Sequence, residues 1–421
     1  MGDKLTLSQR RLRQWHLLKM VLEGRMTLAE ASERMEVSYR HAKRLKHVVA
    51  RDGPKGLIHG NTGRRPANAI TLELRQKIVA LSRTEYALFN DTHFTEKLFS
   101  VEGIRIGRET ARRIRREAGI LPKRRRCPRR HRSRRVRRPQ QGMMVLWDGS
   151  VHRWFGEGHG PCCLIAAIDD ASSRCLAARF FPFESSQAYL WLLRQMLREY
   201  GIPLSIYQDR HSALKRNDPH WSLEEQLRGR QDPTQVGWAL QELSIEPIYA
   251  LSPQAKGRIE RLFGTLQDRL IAELQKAGIT DRERANLFLQ GFLEAHNRQF
   301  SRASEKPQKA WRPLARGIDI DRVCSFRYEA TVGNDNTVRL GGITIDIPPG
   351  PCRASYAKAR VQVRQFLDGS WRVYYQGKKI AQHEATQIQE PIRALKRSKT
   401  RAKAASPYSW LYAASASPYS P

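Results

Sequence analysis

The sequence predicts a multidomain fold with an all-α N-terminal part, a central α/β domain and a small all-β domain near the C-terminus. Three observations predict it. Apolar residues recur at helical spacing through the first 120 residues, strand-like and helix-like segments alternate between 142 and 300, and short alternating runs fill 325–385. With 421 residues, the chain is long enough for two to four domains.

The composition narrows the class of protein. The chain has 75 Lys and Arg against 41 Asp and Glu, a formal net charge of +34, which indicates a polyanionic partner. Nucleic acid is the first candidate and an anionic membrane surface the second. No apolar run approaches the roughly 18 residues of a membrane span, and the N-terminus lacks the apolar stretch of a signal peptide. We therefore expect no membrane partner and a cytoplasmic, nucleoid-associated protein.

The cysteines fit neither a disulfide framework nor a zinc site. None forms a C-x-x-C pair and two are adjacent, so we expect reduced cytosolic thiols. The six are Cys127, Cys162, Cys163, Cys175, Cys324 and Cys352.

Residues 1–60 predict a helix-turn-helix. Thr27 followed by Glu30 is a capping box that begins a short helix ending near Met35. After a tight turn, Tyr39 to Val49 reads as a second helix whose outward face is basic, as in DNA-reading helices. A generic helical hairpin is the alternative. The candidate DNA contacts are Arg40, Lys43, Arg44 and Lys46.

Residues 61–122 repeat this theme after a basic linker punctuated by Gly and Pro. The segment "GRETARRIRREAGI" predicts another basic helix, and two helix-turn-helix modules in tandem would cover a longer DNA site than one. Its candidate DNA contacts are Arg112, Arg113, Arg115 and Arg116.

Residues 123–141 predict an Arg-rich linker. Positions 123 to 138 hold 11 Lys or Arg among 16 residues, so the segment cannot form a core and should remain solvated until a polyanion neutralises it. A solubilising or targeting segment is the alternative. On duplex DNA, each phosphate contact should add roughly 0.9 to the salt slope. The candidate contacts are Arg124, Arg125, Arg129 and Arg130.

Residues 142–300 predict a mixed α/β sheet flanked by helices. Their segments read as three strands, a helix, a strand, a helix, a strand and a long helix. The long helix begins in "SPQAKGRIERLFGTLQDRL", residues 252–270, where a core-facing stripe runs from Ile259 to Leu274.

Three acids are out of place in this pattern. Asp148 interrupts an apolar strand, Asp209 ends another, and Glu260 lies at the edge of the helical stripe. A buried carboxylate requires a counter-charge, and three that meet require cations, for which Mg²⁺ is the hard, oxygen-ligated choice. Two such ions would assist an in-line phosphoryl displacement. For Glu260 alone, a weak surface ion pair is the simpler alternative.

Four neighbouring residues have competing interpretations. Asp169 and Asp170 compete with Asp148 for the first acidic role, although "DDASS" reads better as a turn between strands. His211 either contacts a phosphate or caps the loop after Asp209. Lys256, one turn before Glu260, either contacts the DNA backbone or is solvent-exposed.

Together Asp148 in "WDGS", Asp209 in "YQDRHSALK" and Glu260 in "SPQAKGRIERLFGTLQDRL" resemble the DDE triad of integrase-core insertion-sequence transposases, most closely the ISNCY-type group. The resemblance covers the helix-turn-helix region and the core. It implies a ribonuclease H-like fold, strand cleavage at element ends that depends on Mg²⁺ or on Mn²⁺ in its place, and transfer of the 3′-hydroxyl into target DNA. Asp148, Asp209 and Glu260 would be both the catalytic residues and the metal ligands.

One departure from the family pattern concerns the third ligand. Fifty residues separate Asp209 from Glu260, which is more than is typical of the family. We interpret "NDPHWSLEEQLRGRQDPT" as an 18-residue loop insertion that accounts for the additional length. Glu224 and Glu225 lie inside it, but neither precedes a long amphipathic helix.

The remaining segments are a linker at 301–324, a small five-stranded β-barrel at 325–385, and a basic tail at 386–421 that we expect to be disordered. The resemblance, together with the basic helical N-terminal region, implies a DNA transposase that binds terminal inverted repeats. Its partners would be the double-stranded DNA of element ends and target, with the protein a homo-oligomer on DNA. The alternatives are a DNA-binding regulator with an inactive core and a ribonuclease H-like nuclease without strand transfer.

Overall fold

The computed structural model describes residues 7–58, 61–62, 69–123, 135–216, 221–250, 256–351, 353–387 and 391–392. The chain forms two compact units, Met1–Ile78 and Val79–Pro421. No helix in these described ranges has both the length and the apolar character that crossing a bilayer requires.

The first unit is a small helical bundle. Its helices are α1 (Gln9–Leu22), α2 (Leu28–Arg34) and α3 (Tyr39–Asp52), followed by a 3₁₀ turn at Gly53–Leu57. The capping box is confirmed, because Thr27 and Glu30 each accept the other's backbone N–H. Glu36, with φ of +57°, makes the tight turn before α3. Both predicted helices are therefore present, whereas their function as a DNA-reading pair stays a prediction.

The second helical segment consists of α4 (Leu72–Arg83), α5 (Asp91–Ser100) and α6 (Arg108–Glu117). The boundary between the two compact units falls within α4. The three helices agree with the basic helical segment predicted for 61–122, and a tandem helix-turn-helix stays a prediction.

The central domain follows the element order predicted from the sequence, with two additional helices. One is a short helix inside the segment predicted as a loop insertion, and the other is a second long helix at the end of the domain. The elements are β1 (Met144–His152), β2 (Cys162–Asp169), β3 (Cys175–Phe181), α7 (Ser186–Glu199), β4 (Ser205–Gln208), α8 (Leu223–Arg228), α9 (Gln235–Glu242), β5 (Glu246–Tyr249), α10 (Gly257–Lys276) and α11 (Arg282–Phe300).

The sheet is mixed, as predicted. Its strand order is β3-β2-β1-β4-β5, with β2 antiparallel to both β1 and β3 and with β4 parallel to both β1 and β5. Met144 of β1 stands opposite Ser205 of β4, and Leu146 opposite Tyr207. This register decides which polar residues become neighbours where β1 and β4 end.

Alternate residues of β1 face different helical layers. Val145 and Trp147 pack with α7 and α9, whereas Met144 and Leu146 pack with α10 and α11. The period of two residues therefore directs Asp148 toward the α10 face. The predicted stripe of α10 from Ile259 to Leu274 lies in this second core, as expected.

The turn between β2 and β3 is a buried anchor rather than a competing acidic site. Asp169 accepts hydrogen bonds from the backbone N–H of Gly142 at 2.9 Å and of Ser172 at 2.8 Å. Asp170 forms ion pairs with Arg135, at 2.5 Å, and with Arg258 on the first turn of α10. This confirms the turn interpretation of "DDASS". It also fixes both the end of the Arg-rich linker and the start of α10 to the sheet.

The second helical segment is docked on α10 through charged side chains. Glu96 pairs with Arg269 at 2.6 Å, and Glu273 accepts from His93 at 2.9 Å and pairs with Lys97 at 2.6 Å. Residues 79–122 thus belong to the compact unit that contains the sheet. We infer that a fragment ending near residue 120 would leave these charged side chains without their partners on α10.

Arg115 was predicted to contact DNA, and this prediction is wrong. Only 3% of Arg115 is exposed, and its guanidinium pairs with Asp91 at 2.7 Å and donates to the Phe89 carbonyl. Arg116 also binds Asp91, at 2.5 Å, and the Ile120 carbonyl. Every third or fourth residue of a helix returns to the same face, so a run of arginines on α6 necessarily turns some of them inward.

The predicted linker at 301–324 is attached to the core. Arg312 forms a bridge with Ile202 through two backbone hydrogen bonds, and Asp321 pairs with Arg194 and Arg198 of α7. The short helix α12 (Ile320–Val323) ends this segment. The segment therefore packs against α7 and does not form a free linker between two domains.

The C-terminal domain has six strands rather than the predicted five. Four form an antiparallel sheet in the order β11-β10-β9-β6, and β7-β8 form a separate hairpin. Within the described residues no pairing of β11 with β6 closes a barrel. The strands are β6 (Phe326–Thr331), β7 (Thr337–Leu340), β8 (Ile343–Asp346), β9 (Arg360–Gln365), β10 (Trp371–Tyr375) and β11 (Lys378–His383).

The extra strand has a simple origin in the sequence. The run "TVRLGGITIDIP" reads as one strand, but Gly341 and Gly342 adopt φ of +62° and +88°. Two consecutive positive φ values form a tight hairpin turn, which divides the run into β7 and β8. The predicted tail from 386 lies almost wholly outside the described residues.

We predict that Arg115→Gln destabilises the fold, because it leaves Asp91 without its buried partner. The free energy of unfolding should fall by about 3 kcal/mol, measured by urea denaturation. The matched control is Arg113→Gln on the exposed face of α6, which should change it by less than about 0.5 kcal/mol. Equal effects of the two changes would contradict the structural role of Arg115.

A second prediction concerns the anchor at Asp170. Asp170→Asn removes the charge that holds Arg135 and Arg258, so we expect a loss of about 3 kcal/mol in unfolding free energy. Asp346→Asn, an exposed position on β8, is the control and should be nearly neutral. A melting temperature equal to that of the parent would show that the two arginines do not need this carboxylate.

Candidate active site

Asp148 and Asp209 are neighbours at the ends of two parallel strands. Asp148 lies on β1 and Asp209 directly follows β4. The register of Leu146 opposite Tyr207, continued by two residues, puts the two acids side by side on the α10 face. Trp147 supports this edge by donating its indole N–H to Gln208 at 2.9 Å. The sequence prediction that these acids meet is supported by this register.

The ammonium group of Lys256 lies between the two carboxylates. Its Nζ is 2.8 Å from Oδ1 of Asp148 and 3.2 Å from Oδ2 of Asp209. Only 11% of the Lys256 side chain is exposed, so the alternative of plain solvent exposure is wrong. The counter-charge that the sequence required for Asp148 is supplied by the protein itself.

Burial and charge pull the pKa of Asp148 in opposite directions. Burial dominates and raises the pKa of this carboxyl to about 6, although Lys256 opposes the shift and Asp209 adds to it. For Lys256, burial lowers the pKa, but attraction to Asp148 and Asp209 outweighs it and the pKa is raised. The lysine is therefore cationic throughout the neutral range, and it keeps two closely spaced acids compatible with folding.

Glu184 is an acid that the sequence interpretation missed. It precedes α7, accepts a hydrogen bond from the Tyr189 hydroxyl at 2.6 Å, and contributes to the raised pKa of Asp148. It lies over Gly149, where a Cβ atom would be 2.8 Å from Oε2 of Glu184. No spacing signal marks it, because its proximity to Asp148 arises from the pairing of strands rather than from sequence distance.

His211 stabilises the loop after Asp209. Its backbone N–H donates to Oδ1 of Asp209 at 2.8 Å, and its Nδ1 lies 3.3 Å from the backbone nitrogen of Ala213 and 3.5 Å from Oε1 of Glu184. Of the two interpretations of His211, these contacts favour the loop cap.

Glu260 is exposed on the first full turn of α10. It makes no ion pair within the described residues, and Arg258 pairs instead with Asp170. The surface ion pair considered for Glu260 is therefore not formed there. Across the same residues, no group of three His, Cys, Asp or Glu side chains is close enough to hold a metal ion. The role of Glu260 as the third ligand stays a prediction.

Of the two acids in the loop insertion, Glu225 has a local structural role. Glu225 is the N3 residue of a capping box on α8, where the backbone N–H groups of Asp232, at 2.8 Å, and Ser222, at 2.7 Å, lower its pKa to about 2. It also pairs with Arg216, so it is occupied with local structure. The side chain of Glu224 lies outside the described residues.

The candidate DNA contacts before the central domain divide into three groups. Arg40, Lys43 and Arg44 are exposed on α3, and Lys46 is half-buried. On α6, Arg112 and Arg113 are exposed, whereas Arg115 is buried. The linker arginines Arg124, Arg125, Arg129 and Arg130 lie outside the described residues.

Two known transposases are similar to this chain over most of its length. The putative transposase y4bF of Sinorhizobium fredii (strain NBRC 101917 / NGR234) is 34% identical over 374 residues, which are 89% of this chain and 80% of that protein. The transposase for insertion sequence IS1202 of Streptococcus pneumoniae is 30% identical, over 73% of this chain and 72% of that protein. No family model matches the chain.

Two solved structures of retroviral proteins also match. The simian T-cell lymphotropic virus intasome in complex with PP2A regulatory subunit B56 gamma is 15% identical, over 73% of this chain and 99% of that one, with a TM-score of 0.31. The HTLV-2 integrase catalytic core domain in complex with magnesium is 16% identical, over 35% of this chain and 81% of that one, with a TM-score of 0.24. At these scores neither bears on the site.

The two transposases decide the family. Identity of 34% that extends across 89% of this chain cannot come from one shared motif. The matched residues amount to most of both proteins. The chain belongs to the insertion-sequence transposases.

Proposed function

We propose that this transposase binds the terminal inverted repeats of its element, cleaves there with Mg²⁺, and transfers the new 3′-hydroxyl into target DNA. The observation that carries the proposal is the pair of carboxylates, Asp148 and Asp209, that share one cation at the end of β1 and β4. In α/β sheets the carboxyl ends of parallel strands are where ligands bind.

The donor set fits a divalent metal ion. Asp148 and Asp209 offer hard carboxylate oxygens, the type that Mg²⁺ and Mn²⁺ prefer, and their spacing already accommodates the cationic group of Lys256. Glu260 would be the third ligand, because it is exposed, has no ion-pair partner in the described part of the chain, and lies one helical turn after Lys256. When bound, the metal would activate the attacking oxygen and stabilise the leaving oxygen of the phosphodiester.

The protein residues would then position the DNA. Asp148 and Asp209, on the rigid ends of paired strands, would hold the metal ion in a fixed position relative to the sheet. Asp170 would keep Arg258, and with it the first turn of α10, in a constant position. Lys256 would be available to a phosphate oxygen beside the scissile one. Such fixed geometry is the main contribution of a protein to phosphoryl transfer.

DNA recognition would come from the helical N-terminal region. The exposed basic face of α3 is suited to a major groove, Arg112 and Arg113 on α6 would extend the contact, and the Arg-rich linker would follow the phosphate backbone. Two element ends must be held together for transfer, so we propose that the protein assembles as a homo-oligomer on DNA.

Two other functions would leave different signatures. A regulator with an inactive core would bind the repeats without metal-dependent cleavage, and a nuclease would cleave without joining the ends to target DNA. Incubating the protein with a labelled repeat end, Mg²⁺ and a target plasmid distinguishes all three functions. Joined product supports the transposase, cleavage alone the nuclease, and binding alone the regulator.

We predict that Asp148→Asn, Asp209→Asn and Glu260→Gln each reduce Mg²⁺-dependent cleavage of a labelled repeat end by at least about 10³-fold. The three losses should be non-additive, because the carboxylates act as one unit. Binding of the repeat should persist in a gel shift, since it depends on other residues.

The control for this series is Glu225→Gln, which removes a carboxylate that is occupied with capping α8. It should cleave like the parent protein, with melting temperatures confirming that all variants are folded. If Glu260→Gln cleaves normally while Glu224→Gln does not, the third ligand lies in the loop insertion and the proposal for Glu260 is wrong.

A further prediction concerns sequence readout. In the full-length chain, replacing Arg40, Lys43 and Arg44 together by Gln should abolish the preference for repeat DNA over random DNA in competition gel shifts. The slope of log affinity against log salt should fall by about 0.9 for each phosphate that the variant no longer neutralises. Lys19→Gln, an exposed change on α1, should retain the preference. A triple variant that still discriminates would remove α3 as the reader.

A further inference from the structure

The ammonium group of Lys256 occupies the position between Asp148 and Asp209 at which we expect a divalent cation to bind. Its ammonium is within 3.2 Å of both acids and its side chain is largely buried. A buried ammonium is costly unless it is paired, and within the described residues its two ion-pair partners are Asp148 and Asp209. The lysine and the acids therefore satisfy one another.

The helix itself gives no reason for a lysine at this position. Lys256 is the N-cap residue of α10 and makes no side-chain capping hydrogen bond. A positive charge at a helix N-terminus opposes the helix dipole, and Ser, Thr, Asp or Asn would cap it better. The contribution of Lys256 must come from the acids that it contacts.

The side chain can leave this position without moving the helix. Arg258, two residues later, fixes the start of α10 to Asp170, so the backbone near Lys256 has its own anchor. A lysine has a flexible four-carbon stem and a compact charge, which allows the ammonium to swing away while α10 remains on the sheet.

Resting on the proposed metal site, we infer that Lys256 is a built-in counter-ion: it neutralises Asp148 and Asp209 in the free protein, competes with the divalent cation, and binds a DNA phosphate once displaced. The two carboxylates cannot accept the ammonium and a metal ion in the same place. Metal binding therefore releases a cation at the site where the phosphate backbone must arrive.

This exchange couples two binding events. A DNA phosphate that attracts Lys256 away from the acids makes the metal bind more tightly, and by thermodynamic reciprocity the metal makes the DNA bind more tightly by the same factor. In the absence of DNA the acids are neutralised internally, so the protein binds metal weakly. The assembled site would form only on its substrate.

The test measures metal affinity rather than activity. Isothermal titration of Mg²⁺ into the full-length chain without DNA compares the parent with Lys256→Met, which removes the charge and retains the volume. Lys276→Met is the matched control, because it removes one positive charge from the far end of the same helix, where Lys276 pairs with Glu85. Asp148→Asn reports whether Mg²⁺ binds at the acidic pair at all.

We expect Lys256→Met to bind Mg²⁺ at least about fivefold more tightly than the parent, at the lower end of typical coupling factors. Lys276→Met should match the parent. Without metal, Lys256→Met should melt at a lower temperature than the parent, because its acids face each other unpaired, and Mg²⁺ should raise its melting temperature by more. A short repeat duplex should strengthen Mg²⁺ binding to the parent by a larger factor than to Lys256→Met, because only the parent also gains from displacement of the lysine.

Two variants keep the result decisive if Lys256→Met folds poorly. Lys256→Gln removes the charge but can still donate hydrogen bonds to the acids, and it should also bind Mg²⁺ more tightly. Lys256→Arg retains the charge and should bind as weakly as the parent. Tight binding by Lys256→Arg would overturn the inference, because charge would then not be the cause.

The remaining outcomes separate this inference from the proposed function. If Asp148→Asn abolishes Mg²⁺ binding while Lys256→Met and Lys256→Gln bind no more tightly than the parent, the metal site stands and the competition is refuted. If Asp148→Asn binds Mg²⁺ like the parent, the metal does not bind at the acidic pair and both proposals fail.

Discussion

Two carboxylates on neighbouring parallel strands repel each other unless a cation lies between them. Asp148 and Asp209 are held in that position by the pairing of β1 with β4, and Lys256 provides the cation. The same sheet register that builds the core therefore concentrates negative charge at one edge. Lys256, at the start of α10, neutralises part of that negative charge.

The start of α10 is held by two different ion-pair contacts, one made by Arg258 and the other by Lys256. Arg258 pairs with Asp170, whose carboxylate is fully buried in the turn between β2 and β3 and also accepts the backbone N–H of Arg138 at 2.8 Å. This contact is structural and costly to break. Lys256 instead pairs with Asp148 and Asp209, whose side chains are 16% and 36% exposed. The helix can thus stay fixed while its lysine exchanges partners, and Glu260 is carried on the same fixed turn.

The sequence predicted best what depends on local periodicity. The capping box at Thr27, the stripe of α10 and the order of strands and helices in the core all follow from spacing along the chain. The meeting of Asp148 and Asp209 was also predictable, since one interrupts a strand and the other ends one. Glu184 was not predictable, because its approach to Asp148 depends on how the connection after β3 passes over Gly149.

Other errors came from features whose meaning depends on tertiary contacts. The hairpin at Gly341 and Gly342 lies inside a run whose alternation is typical of one continuous strand, and the positive φ values of the two glycines divide it. The docking of the second helical segment on α10 could not be predicted, because Glu96 and Arg269 are ordinary surface residues until the two helices meet.

The basic residues have two different roles in this molecule, and the net charge alone does not distinguish them. Arg115 and Arg113 are two positions apart on α6, yet one is buried against Asp91 and the other faces solvent. Because each residue of a helix is rotated by about 100° from the one before it, two side chains that are two positions apart point in nearly opposite directions. Arginines such as Arg115, Arg258 and Arg269 are committed to internal carboxylates, so they neutralise the protein's own acids. Lys256 belongs to neither group, because its acidic partners are also suited to a metal ion. Its ammonium group can therefore exchange these carboxylates for a DNA phosphate.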